Sequence, residues 1–178
     1  MTITITPLAQ SDVEALCNLA SDIWRQHYPP IIGTAQTEYM LAQRYAPSVV
    51  RSELAAAVIC WDVLRERGQM VAFASSFPGE AATELKLDKL YVRQDRQRRG
   101  YGGMLIAHTC ARAKRLGYER VVLAVNRHNA NAIAAYLKHG FRTREAAIKE
   151  IGSGFLMDDY IMERDVSFSV AAPESARP

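Results

Sequence analysis

A mixed α+β fold, one central sheet with helices on both faces, is what this sequence predicts. Three observations predict it. Short runs read as strands: Met70–Phe77, the alternating apolar Leu85–Val92 and the β-rich Tyr118–Val125. Helical patterns stand before them, over 12–28 and 34–45, and between the last two, over 104–116. At Gln97-Arg98-Arg99-Gly100-Tyr101-Gly102-Gly103 a strand feeds a glycine-rich turn that opens a helix.

The elements follow in order. Thr2 to Pro7 alternates like a strand. Ser11-Asp12-Val13-Glu14 reads as a capping box opening a helix to about Tyr28, which Pro29-Pro30 stops. Thr34 to Tyr45 is a second helix, and Pro47 to about Ala55 a shorter one. Ala57–Leu64 and Met70–Phe77 form antiparallel strands joined at Glu66-Arg67-Gly68-Gln69. After a turn over Pro78 to Thr83 comes the fourth strand, Leu85–Val92, then the helix from Met104 to Leu116 and a buried fifth strand, Tyr118–Val125. Asn129 is a good N-cap and Gly140 a good C′ residue, so they bound a helix over 130–139. Phe141–Glu150 and Phe155–Arg164 close the fold as a hairpin across Ile151-Gly152-Ser153-Gly154. One domain is expected over 1–165, with an Ala-, Ser- and Pro-rich mobile tail over 166–178.

Composition excludes several classes. A chain of 178 residues with 49% hydrophobic content has a sizeable core. No run approaches the length of a membrane span, and the alternating N-terminus lacks a signal peptide's features. Cys17, Cys60 and Cys110 sit in apolar segments and read as thiols of a reducing, cytoplasmic compartment. No Cys/His spacing suggests a metal site, and a net charge of +3 is too small to imply nucleic acid.

The glycine turn carries the chemistry. Glycines let a backbone approach a ligand closely, and the first N–H groups of a helix are unpaired at the positive end of its dipole. With Arg98 and Arg99 beside them, these groups suit a pyrophosphate. A P-loop needs Lys-Ser/Thr after the last glycine, where this chain has Met104-Leu105. A dinucleotide fingerprint needs Gly or Ala at 105, which is Leu105. The run Gln97-x-x-Gly100-x-Gly102 instead resembles the acyl-CoA signature Q/R-x-x-G-x-G/A of the GNAT superfamily of N-acyltransferases. The segment from Asn126 to Phe141, N-x-x-N-x-x-A-I-x-x-Y-x-x-x-G-F, is similar to the second half of that family's cofactor site. The two motifs come in family order, each after a strand, within a likeness covering about residues 1–164.

The resemblance implies the GNAT fold, with a mostly antiparallel mixed sheet splayed between strands four and five, and acetyl-CoA as cosubstrate. It implies that backbone N–H groups over Arg98, Arg99, Gly100, Tyr101, Gly102 and Gly103 hold the pyrophosphate, with Gln97 in the motif. It implies that backbone groups of Leu90 and Val92 pair with the pantetheine arm, and that an N–H near Leu90 or Tyr91 polarises the acetyl carbonyl. Asn129 and Tyr136, seven apart on one helix face, match the residue that contacts the arm and the residue beside the sulfur. Tyr136 is then the candidate general acid, against the alternative of a packing tyrosine. Asp88, expected on one strand face with Leu90 and Val92, is either the base that deprotonates the acceptor amine or a strand charge paired with Lys86 or Lys89. Glu84 shares that face further out. Trp24, His27 and Tyr28 end the first helix where the family's acceptor site lies. Asp158 and Asp159 interrupt an apolar strand, and the inward one, taken as Asp158, favours a cationic acceptor.

The expected reaction is direct attack by a primary amine on acetyl-CoA, favouring a small cationic amine or polyamine, with peptide amines open. The rival reading is a non-catalytic CoA-binding sensor. Members of the family are often dimers, so a homodimer is an expectation of the resemblance. Nucleic acid and membrane are not expected as partners.

Overall fold

The computed structural model describes residues 2–167. Seven strands form one sheet in the order β1-β2-β3-β4-β5-β7-β6: β1 Ile3–Pro7, β2 Cys60–Glu66, β3 Gln69–Pro78, β4 Glu84–Val92, β5 Arg120–Asn126, β6 Arg142–Gly152 and β7 Phe155–Asp165. Every pairing is antiparallel except β4 with β5. The helices are α1 Val13–His27, α2 Pro29–Ile32, α3 Thr34–Tyr45, α4 Pro47–Ala55, α5 Tyr101–Arg115 and α6 Ala130–Lys138.

Periodicity assigns each helix its side of the sheet. Val13, Leu16, Cys17, Ala20, Ile23 and Trp24 recur at helical spacing along α1 and bury with Met40, Leu41 and Tyr45 of α3 on one face of β2 and β3, around Phe73. On the other face Leu105, Ile106, Cys110 and Ala113 of α5 pack on Leu85, Leu87, Val121 and Leu123. Each fully buried aliphatic chain there contributes about 1.5–3 kcal/mol of transfer free energy. The cysteines are free thiols, with Cys17 and Cys110 buried and Cys60 partly so.

Turn chemistry sets the connections. Arg67 and Gly68, with φ of 51° and 82°, make the two-residue β2–β3 turn in the left-handed conformation whose twist matches a hairpin. Several boundaries depart from the sequence reading. The expected capping box is absent. Gln10–Asp12 is a 3₁₀ turn, α1 starts at Val13, and Asp12 and Glu14 bond Arg65 and Arg51 rather than the helix N-terminus. Pro29 and Pro30 end α1 but also start α2, where their missing N–H groups cost nothing. Of the expected tail, Val166 and Ser167 bond the Glu119 carbonyl, and 168–178 lie outside the described residues. Among the described residues no helix is long and apolar enough to cross a membrane.

Candidate active site

The site forms where β4 and β5 part. Their pairing runs over Glu84–Arg120, Leu85–Val121 and Lys86–Val122 and then stops, while β5 continues against β7 as far as Asn126–Asp159. The edge of β4 beyond Lys86 therefore faces an opening rather than a strand. A cavity of about 1440 Å³ runs through it, from the glycine turn and α6 on one side of the sheet to α2, α3 and the open face of β5, β7 and β6 on the other.

The glycine turn is built to leave its N–H groups free. Arg98 and Gly100 hold φ of 61° and 86°, and Gly100 caps α5, which starts at Tyr101, three residues before the expected Met104. A Cβ on Gly100 would meet nothing within 4 Å, so the glycine serves the left-handed turn. A Cβ on Gly102 would only touch Leu90 and Val92 at 3.7 and 3.8 Å. Gly103 serves packing instead. Its Cβ would come within 2.6 Å of the His139 ring, so this glycine lets α5 lie close to the end of α6. Gln97 donates to the Val92 carbonyl at 3.2 Å and ties the turn to the end of β4.

Below the turn sits Glu66, a residue without a signal in the motif. It accepts from the Tyr101 hydroxyl at 2.7 Å and from Arg96 at 2.8 Å, and Arg99 lies 3.6 Å away. Hydrogen bonds from Tyr101 and Arg96 hold its carboxyl below the usual range. The Tyr101 side chain is thus an anchor under the turn, leaving its backbone N–H for the opening. Arg93 pairs with Asp95, so Arg98 is the one arginine of the turn without an ion pair among the described residues.

On α6, Asn129 lines the cavity while its side-chain oxygen accepts from the Ala132 N–H at 3.3 Å, which confirms it as the N-cap. Two turns on, Tyr136 lines the same cavity with its ring edge-on to Phe141 at 5.7 Å. Burial, with Tyr28 nearby, raises its phenol well above the ordinary value, so the hydroxyl keeps its proton throughout the neutral range.

Asp88 is not on the face of Leu90 and Val92. Ser75 pairs with Lys89 and Ser76 with Leu87, leaving Asp88 as the extra residue of a β-bulge. The bulge puts Asp88 and Lys89 on one face and reverses the alternation after them. Leu90 and Val92 pack toward α5, whereas Asp88 bonds Arg44 of α3 and Lys89, each at 2.8 Å. Burial pushes its carboxyl up, but these two cations outweigh that and hold it below the usual range. Glu84 is deep in the cavity and paired with Arg144 at 2.7 Å.

Of the acceptor-side candidates, Trp24 is 2% exposed, sunk among Tyr28, Tyr45 and Tyr91. Tyr28 reaches the opening, its hydroxyl 3.2 Å from that of Tyr91, and His27 stacks edge-on against it. Asp158 points away from the cavity and pairs with Arg127 at 3.2 Å. The inward acid is Asp159, opposite Asn126. Its phase follows from the strand: Tyr160 and Met162 pack on the α5 side, so Asp159 must face the other.

The comparisons agree with this architecture. The chain is 25% identical over 164 residues to a spermidine N(1)-acetyltransferase of Thermoplasma acidophilum, covering 89% of this chain and 97% of that one. Its fold superposes on the crystal structure of PaiA N-acetyltransferase from the same organism in complex with coenzyme A, with a TM-score of 0.79, 22% identity and coverage of 93% and 99%. It also matches the ribosomal-protein-S18-alanine N-acetyltransferase of Escherichia coli, with a TM-score of 0.71, 22% identity and coverage of 99% and 100%. The model of the Acetyltransferase (GNAT) family matches residues 13–141, so the chain belongs to that family, whose members are acetyl-CoA-dependent N-acetyltransferases.

Proposed function

We propose that the chain transfers the acetyl group of acetyl-CoA to a cationic primary amine of the polyamine type, by direct attack within one ternary complex. The observation that carries this reading is the continuity of the opening. A glycine turn with free N–H groups lies at one mouth, and a cavity bearing Glu84, Asp88 and Asp159 at the other. The relative named for spermidine acetylation supports the same class of acceptor.

In this reading the N–H groups from Arg98 to Gly103, with the unpaired Arg98 guanidinium, hold the pyrophosphate. The free edge of β4 at Leu90–Val92 takes the pantetheine arm, and Asn129 contacts it from α6. Acetyl-CoA supplies an activated thioester. Tyr136 hydrogen-bonds the departing sulfur and gives it a proton; a phenol that stays protonated at neutral pH suits that role. Cysteines take no part in the cavity, in keeping with a route lacking a covalent acyl-enzyme.

The test is CoA release from acetyl-CoA with a panel of spermidine, amino acids, aminoglycosides and lysine peptides. Spermidine is expected to give the highest kcat/KM, and no release with any amine would refute the reading. Gly102→Val, whose methyls would fill the space over Leu90 and Val92, is expected to remain folded and lose acetyl-CoA binding in calorimetry; unchanged affinity would remove the turn from the cofactor site.

A further inference from the structure

We infer that Asp159 is the carboxylate that receives the acceptor's ammonium group and takes its proton. The inference rests on the acetyl-transfer reading above and assigns that reading its base.

Position comes first. Asp159 pairs with Asn126 on β5, four residues past the last β4–β5 pair, so it lies along the opening and lines the cavity. Its burial is unusual for an acid without a partner. Only 6% of the residue is exposed, and Oδ1 has no solvent contact and no hydrogen-bond partner among the described residues. A buried polar atom left in this state is costly, and a donor arriving with the substrate relieves that cost.

The neighbouring acids are already satisfied. Asp88 is shared between Arg44 and Lys89, and Glu84 is paired with Arg144. Asp159 has no ion pair among the described residues, and the other cavity acid without one, Glu80, is exposed in the β3–β4 turn, so an entering ammonium meets one buried carboxylate that is not ion-paired. The groups facing it are Tyr28 from the end of α1, Arg44 from α3 and Lys86 from β4, with Asp158 beside it in the chain. From β6, Glu145 and Lys149 flank its partner Ala147. Burial and the charge of Asp158 raise its carboxyl to about 6, against the pull of Arg44 and Lys86. An acid of that strength is ionised at neutral pH yet basic enough to accept a proton.

The balance is complete without a further reagent. The ammonium gives one proton to Asp159, and the freed nitrogen pair forms the C–N bond. The C–S bond breaks with its pair going to sulfur. Sulfur takes a proton from Tyr136, which recovers one from the nitrogen through solvent, and Asp159 releases its proton to bulk water.

The experiment is kcat/KM for spermidine from pH 5 to 9 in the parent, Asp159→Asn, Asp158→Asn and His27→Gln, with calorimetric titration of spermidine into parent and Asp159→Asn without acetyl-CoA. The parent is expected to lose rate below about pH 6. Asp159→Asn should fall about 100-fold at pH 7 and lose that acid limb, while binding acetyl-CoA as the parent does and spermidine more weakly. Asp158→Asn should keep the limb with its midpoint moved down. Asp159→Asn with a rate within about threefold of the parent and the limb intact, or a limb that vanishes in His27→Gln instead, overturns the assignment. If the parent turns over no amine, the acetyl-transfer reading falls, and the binding arm still decides Asp159: equal spermidine affinity in parent and variant overturns it.

Discussion

The two mouths of the β4–β5 opening are made of different materials. The mouth proposed for the cofactor is mostly backbone: a left-handed turn, the first N–H groups of α5 and the free edge of β4, with the surrounding arginines other than Arg98 tied to Glu66 and Asp95. The mouth proposed for the acceptor is mostly side chain, gathered from α1, α3, β4 and β7, and it keeps one buried carboxylate without an ion pair among the described residues. On the proposed reading, specificity lies with the side chains. Backbone amides serve any pyrophosphate ligand equally, whereas a lone buried acid distinguishes a cation from a neutral acceptor.

Substitutions at each mouth test this contrast. The largest effect is expected at the junction of the two. Tyr136→Phe removes one hydroxyl from a ring packed on Phe141, and turnover should fall about 10²–10⁴-fold with acetyl-CoA affinity unchanged. Kinetics with a melting curve check it, since lost stability with intact turnover would make Tyr136 a packing residue.

Asp88→Asn tests whether charge at the acceptor mouth is structural. It takes the shared carboxylate from Arg44 and leaves Lys89 only Glu53, at 3.3 Å, and unfolding should cost about 3 kcal/mol less at pH 7, the low end for a broken buried pair. Because the folded carboxyl titrates below its ordinary value, its stabilisation is present above about pH 4 and is lost as pH falls through the lowered value. Urea titrations of parent and variant should therefore differ fully at pH 7 and draw together only as pH falls below about 4. The acid limb of kcat/KM should persist in this variant, and its disappearance would return the base to Asp88.

At the cofactor mouth, Glu66→Gln weakens the anchor under Tyr101, Arg96 and Arg99. KM for acetyl-CoA should rise about tenfold while KM for the amine holds, because charge-assisted bonds are roughly twice as strong as neutral ones. A rise in both constants would mean that the two mouths are not independent.

The smallest effect has the opposite sign. The Asp159 carboxyl titrates above its ordinary value in the fold, so the native state binds more protons than the unfolded one between about pH 4 and 6, and stability declines across that window as pH rises. Asp159→Asn should stabilise the protein by about 1–2 kcal/mol at pH 7, allowing for water at the cavity wall, and by nothing below pH 4. Thermal unfolding at the two pH values measures this, and a destabilised variant at pH 7 would show that Asp159 supports the fold.

By itself the sequence determined what depends on contiguous residues. The glycine turn, the Asn129 cap, the Tyr136 spacing and the family all come from local runs, because a turn's φ angles and a helix's face are set within a few residues. Most element positions came the same way, from period and punctuation. Tertiary structure decided whatever depends on phase or on partners far along the chain. Asp88 changed faces because one extra residue in β4 reversed the alternation, and a bulge has no mark in an apolar-polar run. Asp158 and Asp159 are adjacent, and only the seating of Tyr160 and Met162 on the α5 side turned Asp159 inward. Glu66 stands 30 residues from Arg96 and 35 from Tyr101, and Arg44 lies 44 from Asp88. Such pairs meet because strands and helices are stacked by burial of their apolar faces, and the charges they carry along find their partners only once that stacking is complete.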